Sequence, residues 1–317
     1  MNEAAAVIDA NLNRAAEGLR VIEDYCRFVI GHRGWSAGLS QIRHQIDTAL
    51  PFDSQWLVQR NTEKDARAHE LPSARQGLHD LLIANFKRIG QALRVLEEYT
   101  GNATFNRCRY ALYELEKEIV LYSQKPVIRP GVYLISDDLE VLKQGLAWQV
   151  SLIQLRDKSG DKASILEKAK TIAPLAKAAG VPFIVNDFAD IALLVDADGL
   201  HTGQDDLPLS ELRKLLGAHR LLGRTTHTFA QGKIAAEEGA DYVSVGPIWE
   251  TPSKPGRAAI GFDYLRKAGE LGVPFVAIGG VNLETLNDIL PFRHPMIGLI
   301  RDYKNSPVIQ ARLARNE

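Results

Sequence analysis

Cysteine is scarce in this chain of 317 residues: only Cys26 and Cys108 occur, far apart and without metal-ligand spacing. That argues against a disulfide framework and a zinc site, and it suits a reducing cytoplasm. Each cysteine sits at an apolar position of a helical pattern, so each is expected as a small buried hydrophobe. An excess of charge of one sign is also missing. The 38 Lys and Arg nearly cancel the 39 Asp and Glu, leaving a formal net charge of −1. No block of like charges breaks that balance, so no nucleic-acid groove and no anionic membrane surface is expected. Long apolar runs are lacking too. None approaches the roughly 20 residues of a membrane span. The opening segment MNEAAAVIDANLNRAAEG carries acidic residues and no apolar core of signal length. The expectation is a cytoplasmic protein with no membrane and no nucleic-acid partner. With 45% hydrophobic and 24% charged residues, the chain has the makings of a sizeable core. It is also longer than one ordinary domain of roughly 100–200 residues, so two domains are expected.

The first 123 residues read as all α. Ile8, Leu12, Ala15, Leu19, Ile22, Cys26 and Val29 alternate by four and three, the mark of an amphipathic helix from residue 4 to about 30. The spacing returns in Leu39, Ile42 and Ile46, then from Leu78 to Leu96, and from Phe105 to Ile119. An internal repeat runs through this region. Asn11 to Arg14 followed by Leu19-Arg-Val-Ile-Glu-Asp-Tyr25 matches Asn85 to Arg88 followed by Leu93-Arg-Val-Leu-Glu-Glu-Tyr99, and Arg43-His44 parallels Arg109-Tyr110. Two copies of one helical hairpin are implied. Between them, the polar residues 51–77, with Pro51 and Pro72, read as a long loop.

Residues 124–130 form a proline-bounded linker, after which the period changes to short apolar runs. Eight candidate strands follow: 131–137, 151–158, 182–187, 199–203, 221–227, 242–249, 274–280 and 296–301. Amphipathic stretches such as 163–179 and 209–216 supply the crossovers that parallel strands need. Eight such units in residues 131–317 predict a compact (β/α)8 TIM barrel. The chain is therefore α/β, a barrel preceded by an all-α domain.

In such a barrel the ligand site lies at the carboxyl ends of the strands. Strand two ends Gln154-Leu-Arg-Asp-Lys158, where alternation puts Gln154, Arg156 and Lys158 on one side, and two fixed cations suit a pyrophosphate. Strand three ends Asn186-Asp187, and strand four leads into Gln204-Asp205-Asp206. Asp187 and Asp206 are the favoured pair for a magnesium ion, a hard cation that takes oxygen ligands. Asp205 serves equally well as a cap of the helix near Leu209. Lys254, in the loop after strand six, and Gly279-Gly280, after strand seven, are further anion-binding candidates.

The ordered set QLRDK, VND, ADGLHTGQDD, GRTTHT, SVGPIWETPSK and AIGG resembles thiamine phosphate synthase across essentially the whole barrel. The resemblance implies that 4-amino-2-methyl-5-hydroxymethylpyrimidine diphosphate is joined to a phosphorylated hydroxyethylthiazole, with Mg2+, to give thiamine monophosphate and pyrophosphate. It implies that Gln154, Leu155, Arg156, Asp157, Lys158 and Asn186 hold the diphosphate and that Asp187 and Asp206 bind magnesium. Thr251, Pro252 and Ser253 would meet the thiazole phosphate with Gly279 and Gly280. Arg156, Lys158, Lys254 and Thr225 would act on the leaving group. The family usually follows strand eight with a small-residue segment, whereas here Ile300 and Arg301 stand in its place. Residues 1–123, with NLNRAAEGLRVIEDYCRF, resemble a module fused ahead of that enzyme and proposed to phosphorylate hydroxymethylpyrimidine phosphate. Arg14, Arg20, Arg43 and Arg60 are its phosphate candidates, although no P-loop is present. Arg20 and Glu23, like Arg94 and Glu97, have the spacing to pair on a solvated face, and a homo-oligomer through this domain is the competing role. Rival readings of the barrel are a thiamine-phosphate sensor without turnover and a thiazole-tautomerase-like enzyme using His201 or His227.

Overall fold

The structure, a computed structural model, describes residues 4–51, 53, 56, 74–252, 256, 258–292 and 295–315. It divides into two compact units, Met1–Gln124 and Lys125–Glu317.

The first unit holds α1 (Ala5–Asp24), α2 (Arg33–Ala49), α3 (Leu78–Thr100) and α4 (Ala103–Tyr122). The helix expected to run to about residue 30 does so by changing pitch, because α1 continues as a π-helical stretch, Tyr25–Ile30. The repeat is visible in the details. Asn11 and Asn85 each donate from Nδ2 to the carbonyl four residues back, Val7 and Leu81, both at 2.8 Å. Each repeat's first helix ends on a left-handed glycine, Gly31 or Gly101, and the next is capped by the residue that follows, His32 or Asn102. Glu23 meets Arg43 at 3.4 Å, and its counterpart Glu97 meets Arg109 at 3.2 Å. Glu97 also pairs with Arg94 as the spacing suggested, whereas Glu23 pairs with Arg43 on α2. The apolar stripes converge on a core that includes Leu19, Ile22, Leu39, Phe86, Leu93, Phe105 and both cysteines. Burial pushes the Cys26 thiol up to about 11.

The second unit is a closed parallel barrel in which β1 to β8 pair in sequence order and β8 returns to β1. The strands are β1 (Gly131–Ser136), β2 (Leu152–Leu155), β3 (Phe183–Asn186), β4 (Gly199–Thr202), β5 (Leu221–Thr226), β6 (Tyr242–Val245), β7 (Phe275–Ile278) and β8 (Met296–Leu299). All eight fall inside the expected segments, trimmed at the ends where polar residues leave the ladder. The crossover helices are α5 (Leu139–Ala147), α6 (Lys162–Ala179), α7 (Ala189–Leu194), α8 (Leu209–Leu216), α9 (Phe229–Glu237), α10 (Asp263–Lys267) and α11 (Leu286–Ile289), and α12 (Ser306–Leu313) follows β8. The short link before β8 thus holds a helix of only 4 residues.

Alternation along each strand separates two apolar layers. Val132, Leu134, Ile153, Phe183, Leu200, Leu222 and Val243 face outward against the helices. Tyr133, Leu152, Ile184, Leu221, Tyr242, Val276 and Met296 plug the inside. At the amino-terminal end, Asp241 accepts from Lys125 Nζ at 2.7 Å, from Arg213 Nη2 at 2.5 Å and from the Leu222 amide at 2.8 Å, tying three segments together.

Candidate active site

Because the apolar plug fills one end of the barrel, the other end is left open. A cavity of about 450 Å³ lies there, lined from all eight strands or the loops that follow them. Period-two geometry sends Gln154, Arg156 and Lys158 into it. The same geometry turns Leu155 and Asp157 away, which corrects their grouping with the substrate residues. Leu155 packs in the outer apolar layer. The Asp157 carboxylate accepts from Lys168 Nζ at 2.7 Å and from the amides of Gly160 at 2.7 Å and Ser159 at 3.0 Å. Those contacts, Lys168 foremost, hold Asp157 well below the usual carboxylate range.

Asn186 and Asp187 both line the cavity. Asp187 adopts a left-handed φ of 62°, unusual for a residue with a side chain. Its amide donates to the His201 carbonyl at 2.9 Å, and its carboxylate meets the Lys158 ammonium. After β4, Gln204 and Asp205 line the cavity. Asp206 instead accepts the Gly203 amide at 2.6 Å, closing its own turn. Neither aspartate caps α8, whose N-cap is Pro208 without a side-chain bond. Among the described residues no cluster of three or more His, Cys, Asp or Glu is disposed to hold a metal. The available ligand set is therefore a pair of carboxylates at neighbouring strand ends. Their oxygen chemistry fits a magnesium ion that keeps water and substrate phosphate in its shell. That one of them already attracts an ammonium group agrees with this fit.

Thr225 lines the cavity, as do His201 and His227. His227 Nδ1 lies 2.5 Å from the Gly246 carbonyl, which can only accept, so that nitrogen carries the proton. Both histidines are hydrogen-bonded strand-end residues. Thr251 and Pro252 line the cavity, while Ser253 and Lys254 lie outside the described residues. Gly279 and Gly280 have φ of 92° and 76°. A Cβ on Gly280 would stand 2.6 Å from the Trp249 Cβ, so glycine is required for both backbone angle and space. Ile300 and Arg301 complete the lining after β8. The amides of Gly280, Ile300 and Arg301 make no hydrogen bond among the described residues, which leaves three N–H donors for an anion.

Sequence reasoning did not single out Tyr133 and Tyr242, whose hydroxyls meet at 2.9 Å inside the barrel. Strands covered on both faces read as continuous apolar runs, so inward and outward positions are not distinguished by polarity. The signal was their shared parity with Ile135 and Ser244, which line the cavity as Tyr133 does. In the helical unit Arg14 and Arg20 are exposed, Arg43 is half-buried beside Glu23, and Arg60 lies outside the described residues.

A closed eightfold barrel with guanidinium, ammonium, side-chain amide and backbone N–H groups gathered at its strand ends is a barrel built for anionic small molecules. Residues 126–301 match the thiamine monophosphate synthase family, TMP-TENI, and the chain belongs to that family. Residues 6–118 match the ThiD2 family. The chain is 37% identical over 311 residues to a thiamine-phosphate synthase of Nostoc sp., covering 93% of this chain and 88% of that one. Its identity to the protein of that name from Thermosynechococcus vestitus is also 37%, over 93% and 89% of the two chains. A thiamine phosphate pyrophosphorylase structure from Pyrococcus furiosus superposes with a TM-score of 0.53 at 26% identity, covering 62% of this chain and 98% of that one.

Proposed function

We propose that the barrel is a thiamine phosphate synthase, a transferase joining 4-amino-2-methyl-5-hydroxymethylpyrimidine diphosphate to hydroxyethylthiazole phosphate, or its carboxylated form, with release of pyrophosphate. The observation that carries this is the convergence of Arg156, Lys158, Asn186, Asp187 and Thr225 on one cavity that also holds the amides of Gly280, Ile300 and Arg301, unpaired among the described residues. Departure of the diphosphate from the benzyl-like carbon leaves a cation stabilised by the ring amino group, and the thiazole nitrogen captures it. Arg156 and Lys158 stabilise the charge growing on the leaving group, a preorganised term of roughly 3–4 kcal/mol per donor in comparable sites. Gln154 and Asn186 orient the pyrimidine diphosphate. Thr251, Pro252, Gly279 and Gly280 meet the thiazole phosphate, with Ile300 and Arg301 replacing the family's small-residue segment. Lys254 and Ser253 are assigned to the diphosphate and the thiazole phosphate on sequence alone. Asp187 and Asp206 would hold Mg2+, with Asp205 the neighbouring carboxylate that lines the cavity, and the ion would supply neutralisation of the diphosphate charge.

The test is formation of thiamine monophosphate by the full chain from the two substrates and magnesium. Product is expected. Binding of both substrates without product would overturn the synthase in favour of a sensing barrel, and isomerisation of a thiazole carboxylate alone would favour the tautomerase-like enzyme.

For residues 1–123, joined to the barrel domain 131–317 through 124–130, we propose phosphorylation of hydroxymethylpyrimidine phosphate. Support comes from the duplicated Glu23–Arg43 and Glu97–Arg109 pairs, in each of which the arginine Nε is buried without a partner among the described residues. ATP and hydroxymethylpyrimidine phosphate should replace the diphosphate in the same assay, and failure to do so would overturn this role. Association of copies through this unit is the competing reading, supported by the exposed Phe28 and Val29, and sedimentation reads it. Among the described residues no helix is long and apolar enough to cross a membrane; the cytoplasmic location we propose rests on the two buried free cysteines.

A further inference from the structure

Beneath the cavity, five side chains form a chain of hydrogen bonds. Gln154 Nε2 meets Tyr133 Oη, Tyr133 Oη meets Tyr242 Oη at 2.9 Å, Tyr242 Oη meets His201 Nδ1 at 3.1 Å, and His201 Nε2 meets Thr225 Oγ1 at 3.0 Å. A hydroxyl has one proton, so the direction of any link sets the next. With the Gln154 amide donating, Tyr133 must spend its proton on Tyr242, and Tyr242 on Nδ1 of His201. His201 then carries its proton on Nε2 and donates to Thr225, whose own proton is left for the cavity. The opposite order, with the Gln154 carbonyl accepting, would point the Thr225 proton at His201 and show only lone pairs to a ligand. A diphosphate offers acceptors alone, so the first order is the one that matches it.

The surroundings hold this order in place. Both tyrosines are fully buried, and burial pushes both phenols well above their ordinary range, so they stay protonated. Tyr242 and His201 lie nearly parallel, with ring centroids 5.5 Å apart. They fill the space left by the missing side chain of Gly223, where a Cβ would come within 2.6 Å of His201 Nδ1 and collide with the Tyr242 ring.

We infer that Tyr242 is a positioning residue that fixes the Nε2–H tautomer of His201 and thereby makes Thr225 a hydrogen-bond donor to the departing diphosphate. The inference rests on the synthase reading of the cavity. The test uses the full chain labelled with 15N-histidine, with the His201 signals identified by their loss in His201→Gln. In the wild type His201 should be the Nε2–H tautomer. Tyr242→Phe should lose that single tautomer, and its kcat should fall roughly tenfold, the worth of one hydrogen bond to a charged group, with KM little changed. Tyr133→Phe cuts the chain one link earlier and frees the direction of the Tyr242 hydroxyl, so it too should lose the single tautomer, and a cooperative urea transition in both variants controls for folding. An Nδ1–H tautomer in the wild type, or a Tyr242→Phe protein that keeps both tautomer and kcat, overturns the inference. A chain with the Nε2–H tautomer but no turnover would instead overturn the synthase reading and leave the proton order supported.

Discussion

The Lys158 ammonium lies against the Asp187 carboxylate, bringing together the ends of β2 and β3 on the rim of the cavity. Lys158 is 55% exposed, and an ion pair this open contributes within about 1 kcal/mol to stability. Its value is that both partners can change hands, the ammonium going to diphosphate and the carboxylate to magnesium. Lys158→Met and Asp187→Asn should therefore leave the urea midpoint nearly unchanged. Steady-state assays should show kcat/KM for the pyrimidine diphosphate falling at least about a hundredfold, the loss of one strong electrostatic contact. A large stability loss with normal kinetics would show the pair to be structural.

Gly280→Ala should act on the thiazole side. The residue's φ of 76° costs a side chain about 1–2 kcal/mol, and the Trp249 contact adds strain. KM for thiazole phosphate should rise while the affinity for the pyrimidine diphosphate, read by calorimetry, holds.

Asp241→Ala should be the most destabilising of these changes. It removes the anion shared by Lys125 and Arg213 and the acceptor of the Leu222 amide. Burial already pulls the Lys125 pKa down against the pull of Asp241 in the other direction. Loss of such a partner costs roughly 3 kcal/mol. Chemical denaturation should show this without a matching change in KM, since the site lies at the other end of the barrel.

Asp157 predicts a pH dependence. Its folded pKa is depressed, so its stabilising contribution is complete above the unfolded carboxylate value of about 3.9 and is lost as pH falls below it toward the folded value. Asp157→Asn should be less stable than the wild type at neutral pH, and the gap should close in acid. Urea midpoints at pH 7 and at low pH measure it. An unchanged gap would mean that the contribution comes from the loop hydrogen bonds alone.

Much of the site was legible because it depends on local order. The polar residues that end apolar strands, Gln154, Arg156, Lys158, Asn186 and Asp187, all reach the cavity. Leu155 and Asp157 sit in the same motif, yet alternation turns them outward, where Asp157 secures the β2–α6 loop. Asp205 and Asp206 differ by one residue, and their separation into a cavity lining and a turn closure depends on the path of the chain after β4.

The sequence by itself determined two units, one all α with a repeated hairpin and one of eight β/α elements, because periodicity and turn chemistry act over a few residues and survive in any context. Only the tertiary structure decided the polar chain from Gln154 through Tyr133, Tyr242 and His201 to Thr225. Its members come from five strands, and they meet because barrel closure turns one parity of every strand toward a common axis, where Gly223 leaves the room they share.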